Sequence, residues 1–365
     1  MNIFSFFAGS GFLDLGFEHS NFNIKMVNEF LPTFMDAYIF SRNQMHQDRP
    51  EFGYQNLDIN DFLNDRKAEL QDYIRLSKRE ALTGFIGGPP CPDFSVAGKN
   101  RGRDGDNGRL SLSYINTILE FHPDFFLFEN VKGLWRTVRH REYYEELKNM
   151  LHTAGYCTTE KLVNALEFGV PQDRERILLF GVTNEILPDN SKDASAIIDF
   201  PWNEHSVFTM DSIQRCNWIN TSVFGIDSDF PIPDDIIPEL TVQYWFELNN
   251  VENHPNGLEF FNPKSGLQKM LTIEEGDVSR KSYKRLHRWR YSPTAAYGNN
   301  EVHLHPYKAR RLSVAEALAI QSMPADFCLP PEMTLTAKFK TIGNGVPYLL
   351  SNGIACTIRE YLEDL

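Results

Sequence analysis

Short apolar runs separated by amphipathic stretches set the rhythm of the first half of this 365-residue chain. The run from Ile3 to Ala8 ends in Gly9-Ser10-Gly11, after which Leu13, Gly16 and Phe17 fall at helical spacing. That order predicts a strand, a glycine turn and a helix. Ile24 to Glu29 predicts a second strand, and Asn56-Leu57-Asp58-Ile59 a short strand end. Further along, Phe85-Ile86 marks a strand end and Ser113 to Phe121 a helix. Asp124 to Phe128 predicts a buried strand, Glu142 to Leu151 a helix and Ile177 to Val182 another strand. Strands alternating with helices predict an α/β fold with a mostly parallel sheet.

From Asn184 to about residue 300 the periodicity fades into Pro, Asn, Asp and aromatic residues, which predicts a separate, irregular, loop-rich domain. Order returns at Arg310 to Met323, a helix with Ser313 as N-cap, Glu316 three residues later and Pro324 as its stop. The tail Ile342-Gly343-Asn344-Gly345-Val346-Pro347 opens a final helix from Tyr348 to Leu362. No internal repeat or low-complexity segment interrupts this plan.

With 42% hydrophobic and 23% charged residues, the chain has ample core for about two domains. It has no apolar run of the roughly 18 residues a membrane helix needs. The apolar N-terminus lacks a basic start and is broken by Asp14 and Glu18, so a first strand is expected rather than a signal segment. Five cysteines, at 91, 157, 216, 328 and 356, form no C-x-x-C pair, which argues against a zinc site or disulfide framework. That usage fits a reducing, cytoplasmic interior, and no metal is expected.

The net charge of −13 is unevenly spread. Residues 184–240 carry eleven acids against Lys192 and Arg215, a net −9. Residues 279–311 carry Arg280, Lys281, Lys284, Arg285, Arg288, Arg290, Lys308, Arg310 and Arg311 against Glu301 alone, a net +8. Such a stripe is either a solvated charged face or a phosphate-binding surface on an acidic body.

Three patterns suggest chemistry. The Gly9-Ser10-Gly11 turn follows the first strand, and Glu29 ends the second strand eighteen residues past Gly11. In nucleotide-type folds, bare backbone at such a turn approaches the cofactor and an acid at about that distance bonds the ribose. Phe30 is placed to stack on a purine, and Asp58 to accept from an adenine amino group. No Lys-Ser/Thr follows the glycines, so a triphosphate grip is absent. S-adenosylmethionine is favoured, with a nicotinamide cofactor as the alternative. Second, Gly87-Gly88-Pro89-Pro90-Cys91 mounts a thiol on a stiff turn at a strand end, where it is either a nucleophile or a buried structural cysteine. The basic, glycine-rich stretch 96–109, with Lys99 and Arg101, then predicts a loop that closes over an anionic substrate. Third, Glu129 follows an apolar strand, as a solvent-facing end or a functional acid with a raised pKa.

Taken in order, these pieces resemble the DNA (cytosine-5) methyltransferase family of bacterial type, over nearly the whole chain. Phe7-Ala8-Gly9-Ser10-Gly11 is similar to its cofactor turn, and Pro90-Cys91-Pro92-Asp93-Phe94-Ser95 to its Pro-Cys-Gln-x-Phe-Ser motif. Glu129-Asn130-Val131 matches its Glu-Asn-Val, and Gln172-x-Arg174-x-Arg176 its Gln-x-Arg-x-Arg. Arg311-Leu312-Ser313 with Glu316, Gln321 and Pro324 resembles the ninth motif, and Gly343-Asn344-Gly345-Val346 the tenth. Pro92 stands where glutamine is usual, which bears on movement of the following loop, and Thr341 where glutamine often precedes Ile-Gly-Asn.

The resemblance implies a Rossmann-like, S-adenosylmethionine-dependent methyltransferase sheet with a second, smaller, irregular target-recognition domain. The catalytic and cofactor domain is then discontinuous, 1–183 plus 335–365, with target recognition in 184–300 and a hinge and ninth-motif helix in 301–334. It implies Cys91, Glu129, Arg174 and Arg176 as catalytic residues, and Pro89, Pro90 and Asn130 around the base. The cofactor is expected against Phe7, Ala8, Gly9, Ser10, Gly11, Glu29, Phe30, Asp58, Ile59, Leu110, Asn344, Gly345 and Val346. DNA is expected against Ser95, Lys99, Arg101, Arg280, Lys281, Lys284 and Arg285. The implied partner is double-stranded DNA, with a separate cognate restriction endonuclease, no membrane, and a monomeric enzyme. An RNA (tRNA) cytosine-5 methyltransferase shares much of this motif set and stays open here.

Overall fold

The computed structural model describes residues 1–90, 106–188, 195–295, 297 and 301–365. The first half runs β1 (Asn2–Phe6), α1 (Phe12–His19), β2 (Asn23–Asn28), α2 (Pro32–Gln44), β3 (Tyr54–Gln55), α3 (Ile59–Leu63), α4 (Lys67–Lys78) and β4 (Thr83–Gly87). It continues through α5 (Asp106–Phe121), β5 (Phe125–Val131), α6 (Lys132–Arg136), α7 (Val138–Thr153), β6 (Tyr156–Asn164), β7 (Gln172–Asp173) and β8 (Glu175–Thr183). The second half is sparser: α8 (Met210–Arg215), α9 (Val242–Leu248), α10 (Leu267–Leu271), β9 (Ser292–Pro293), α11 (Val314–Ile320), α12 (Leu335–Asn344) and α13 (Tyr348–Glu363).

Seven strands form one sheet in the order β3-β2-β1-β4-β5-β8-β6. The strands from β3 to β5 are parallel, and β8 is antiparallel to both neighbours. Period-two alternation divides the side chains between two cores. Ile3, Ile86, Phe125, Leu127 and Phe180 face one layer with Phe17, Leu350 and Ile354. Phe4, Phe6, Phe85, Phe126, Phe128 and Leu179 face the other with Tyr114, Tyr144 and Leu147.

Register sets up the site. Phe6 pairs with Asn28 on one side and Gly87 on the other, and Gly87 pairs with Phe128. One residue beyond this row stand Glu29, Phe7, Gly88 and Glu129, side by side at the carboxyl edge. The chain leaves β1 toward β2 and β3, then returns to build β4 and β5 on the other side, and that reversal opens a crevice.

Several expectations are corrected. Asn56 to Ile59 is not a strand end: Asp58 is the N-cap of α3, accepting from Asn60 N at 2.8 Å. Strand β6 and helix α12 were not foreseen, and α5 begins at Asp106, within the stretch expected as loop to Arg109. The capping box of α11 is as expected, Ser313 and Glu316 each accepting from the other's backbone. No helix among the described residues is long and apolar enough to cross a membrane.

Candidate active site

A cleft of about 1550 Å³ lies along the carboxyl edge of the sheet, walled on its far side by α12 and by residues around Thr294 and Ala295. One end is built on the glycine turn. Gly9 and Gly11 have φ of +57° and +82°, a conformation only glycine enters without strain. From beneath, Arg42 donates to Gly11 O at 2.7 Å. Asp14, fully buried, accepts from Ser5 at 2.8 Å and from Tyr38 at 3.0 Å, and burial lifts its carboxyl to about 6. This Asp14–Tyr38–Arg42 support was missed at the sequence level, where Asp14 counts only as a polar break in an apolar run.

The expected cofactor residues converge here except Gly11, which faces Tyr38 and Arg42 rather than the cleft. Glu29 receives Gly9 N at 2.9 Å and Leu31 N at 2.8 Å, tying the ends of β1 and β2 together. Burial raises its pKa, against the lowering pull of these amides. Phe7, Ala8, Ser10, Phe30, Asp58, Ile59, Leu110, Asn344, Gly345 and Val346 line the same cleft. Phe30 is exposed at its rim, whereas Ile59 is buried. The tail closes on the turn through Thr341 Oγ1 and Ser10 Oγ, 2.8 Å apart. At Gly345 a Cβ would sit 2.6 Å from the Phe12 ring, so only glycine allows the tail this close.

At the other end stand Pro89, Pro90, Glu129, Asn130, Arg174 and Arg176. Glu129 is 7% exposed and pairs with Arg176 Nε at 2.8 Å. Burial raises its pKa, while Arg176 and then Arg174 pull it down. The Gly88 backbone presses on it: a Cβ there would lie 2.7 Å from Glu129 Oε2. Asn130 spends its oxygen on Val131 N at 2.8 Å, and its Nδ2 is buried without a partner among the described residues, a donor left available beside the turn. The turn residues differ, Pro89 being buried and Pro90 exposed. Cys91, Ser95, Lys99 and Arg101 lie outside the described residues.

Arg174 holds the walls together. Its terminal nitrogens donate to Ala295 O at 3.3 Å, Gly343 O at 3.0 Å and Gly345 O at 2.9 Å. Neighbouring Gln172 accepts from Ala295 N at 2.9 Å and donates to Gln321 Oε1 at 3.2 Å, and Gln321 in turn donates to Ile342 O. The Gln-x-Arg strand is thereby stitched to both the segment at 295 and the tail.

The basic stripe divides. Arg280 and Lys281 are exposed and Lys284 is half-buried, so all three cations reach solvent. Arg285 is a correction: it is fully buried. Its guanidinium donates to the carbonyls of Ile273, Met270, His305 and Lys308 and lies over the Phe224 ring. Desolvation pushes its pKa down to about 10. Arg288 is buried on Glu275, Nη2 to Oε2 at 2.8 Å, and Arg311 is buried as well. A charge count along the chain cannot separate arginines that face solvent from arginines that staple loops.

The family model for C-5 cytosine-specific DNA methylase matches residues 1–360. The Type II methyltransferase M.NmeDI of Neisseria meningitidis serogroup C is 54% identical over 365 residues, covering 99% of this chain and 84% of that one. M.FnuDI of Fusobacterium nucleatum is 30% identical over 395 residues, covering 100% and 96%. The fold is shared with the S. pombe Dnmt2 methyltransferase, at TM-score 0.60, 13% identity and 100% and 99% coverage. It is shared equally with the Entamoeba histolytica methyltransferase EhMeth, at TM-score 0.61, 15% identity and 100% and 98% coverage.

Proposed function

The chain belongs to the C-5 cytosine-specific DNA methylase family, and from that premise we propose that it methylates carbon 5 of a flipped-out cytosine in a specific duplex DNA sequence, through a covalent bond to Cys91. The observation that carries this reading is the single row Glu29, Phe7, Gly88 and Glu129 at the sheet edge. It puts a nucleoside-type turn and a buried acid–arginine pair in one cleft, on either side of the turn that leads into Cys91.

The cleft suits S-adenosylmethionine. Among the described residues, only Thr341 Oγ1, 3.9 Å away, approaches the bare face of Gly9. The carboxylates of Glu29 and Asp58 offer acceptors for ribose and adenine, with Phe30 for stacking. When bound, that cofactor supplies an electrophilic methyl group for carbon 5 to take up. Cys91 as thiolate bonds to carbon 6, and the displaced electron pair moves toward nitrogen 3 and the exocyclic oxygen, leaving carbon 5 nucleophilic. Glu129, with its raised pKa, gives its proton to nitrogen 3, and Arg176 donates to the oxygen. The Pro89 carbonyl accepts from the exocyclic amine, which thymine lacks. A base, or water, then takes the carbon-5 proton, the sulfur–carbon bond breaks to release the thiolate, and nitrogen 3 returns its proton to Glu129. Arg174 acts through the walls it holds rather than on the base.

A stacked cytosine cannot reach this cleft, so the base flips out at a cost of a few kcal/mol. Residues 184–300 are the proposed target-recognition domain, and the loop after Cys91 the proposed closure. The relatives are named Type II methyltransferases, which supports a role beside a separate restriction endonuclease. Bisulfite sequencing of DNA from cells expressing the protein tests the reading, with parallel assays on duplex DNA and tRNA. A sequence-specific cytosine mark that vanishes with Cys91→Ala is expected. Methylation of tRNA alone refutes it.

A further inference from the structure

Among the basic residues of the stripe, Arg290 is held unlike the others. Its guanidinium is partly exposed, and Nη1 donates to the neutral oxygen of exposed Asn220 at 2.6 Å. The group also lies over the Tyr291 ring, 5.3 Å from its centroid. No carboxylate among the described residues lies within ion-pair distance of it, whereas Arg280 leans on Asp277, Arg288 on Glu275 and Arg310 on Glu316.

Its backbone is fixed. Val242 N donates to Arg290 O at 3.1 Å and Gln243 N to Arg288 O at 2.9 Å, while the Arg288 side chain is locked to buried Glu275. Two residues on, β9 pairs with β7, which leads directly into Arg174, and Thr294 already lines the cleft. Arg290, four residues before the cleft-lining Thr294, is therefore an oriented planar fork, of whose five N–H donors one is used among the described residues.

A fork preset by a neutral amide and an aromatic face suits bidentate recognition better than a phosphate contact, which any mobile cation can make. Guanine, with O6 and N7 side by side in the major groove, is the base such a fork matches. We propose that Arg290, oriented by Asn220 and Tyr291, reads a guanine of the recognised duplex sequence and so sets sequence specificity; this rests on the duplex-DNA reading above.

The test starts from the site mapped by bisulfite sequencing. Duplexes carrying that site are made with each guanine in turn replaced by 7-deazaguanine, which lacks N7, and kcat/KM is measured for wild type, Arg290→Gln and Arg290→Lys. Expected is a loss of about 5–150-fold for Arg290→Gln on the intact site, the worth of one bidentate base contact. That loss shrinks to about twofold or less on one particular 7-deazaguanine duplex, and Arg290→Lys does not rescue. A loss equal on every duplex, or full rescue by Arg290→Lys, overturns the assignment while leaving the functional reading intact. Wild type that methylates no duplex overturns both.

Discussion

Gly88→Ala tests how tightly Glu129, the proposed catalytic acid, is held. The backbone of Gly88 is not in the left-handed region, so alanine fits its conformation. Its methyl, however, would lie 2.7 Å from Glu129 Oε2, against the roughly 3.3–3.6 Å of a close carbon–oxygen contact. The carboxylate therefore has to retreat by somewhat under 1 Å, and its other oxygen is pinned by Arg176 at 2.8 Å. Because the obstructing atom is the tip of a side chain, the stability cost stays near 1 kcal/mol, at the low end for overpacking. Catalysis suffers more, since a misplacement of about 1 Å is worth about 10²-fold. A single-turnover methyl-transfer assay on duplex DNA, beside a thermal melt, separates the two effects. In a Glu129→Ala background the obstruction is gone, so Gly88→Ala adds nothing further. An unchanged rate in the parent, or an equal loss in the Glu129→Ala background, refutes the contact as the cause.

Two further outcomes follow from the same geometry. Glu129→Gln slows chemistry about 10²–10⁴-fold. Because burial raises the Glu129 pKa in the fold, wild type loses stability as pH climbs from the unfolded carboxyl value of about 4.3 to the raised value. The Gln variant escapes that loss, so its melting temperature relative to wild type rises with pH over that window; a pH-independent difference argues against a raised value. Neutralising Arg280, Lys281 and Lys284 flattens the salt dependence of DNA binding, by about 0.9 in log–log slope for each phosphate left without its cation. Arg285→Ala instead strands buried carbonyls and lowers the melting temperature with the slope unchanged, each stranded group costing about 1–3 kcal/mol.

The alternating half of the chain was legible because its strands are buried on both faces and so appear as plain apolar runs. Strand β6 was not, since Thr158, Thr159, Glu160 and Lys161 interrupt it and it lies at the sheet edge, where one side need not be apolar. Helix α12 was obscured because it ends in Gly343-Asn344, which by itself resembles a turn. Gly345 does end the helix, as its C-cap, at the point where the backbone meets Phe12. For the site, Glu129, Arg176 and the glycine turn stand out by type and order, and the fold brings them to one cleft. What order could not show is support: Asp14 under the turn, Arg174 across four carbonyls, and Arg285 caged by four. These depend on which carbonyls the fold leaves without partners, and no local pattern encodes that.

In the proposed reaction Cys91 bonds to cytosine carbon 6 and is released only when carbon 5 loses its proton. Duplex DNA with 5-fluorocytosine at the mapped target blocks that release, because fluorine cannot leave as a cation. Incubation with S-adenosylmethionine, followed by digestion and mass spectrometry of the cross-linked peptide, should place a methylated fluorocytosine on Cys91 in near-stoichiometric yield. A cross-link at Cys157, Cys216, Cys328 or Cys356, or no cross-link from protein that methylates ordinary DNA, would contradict it.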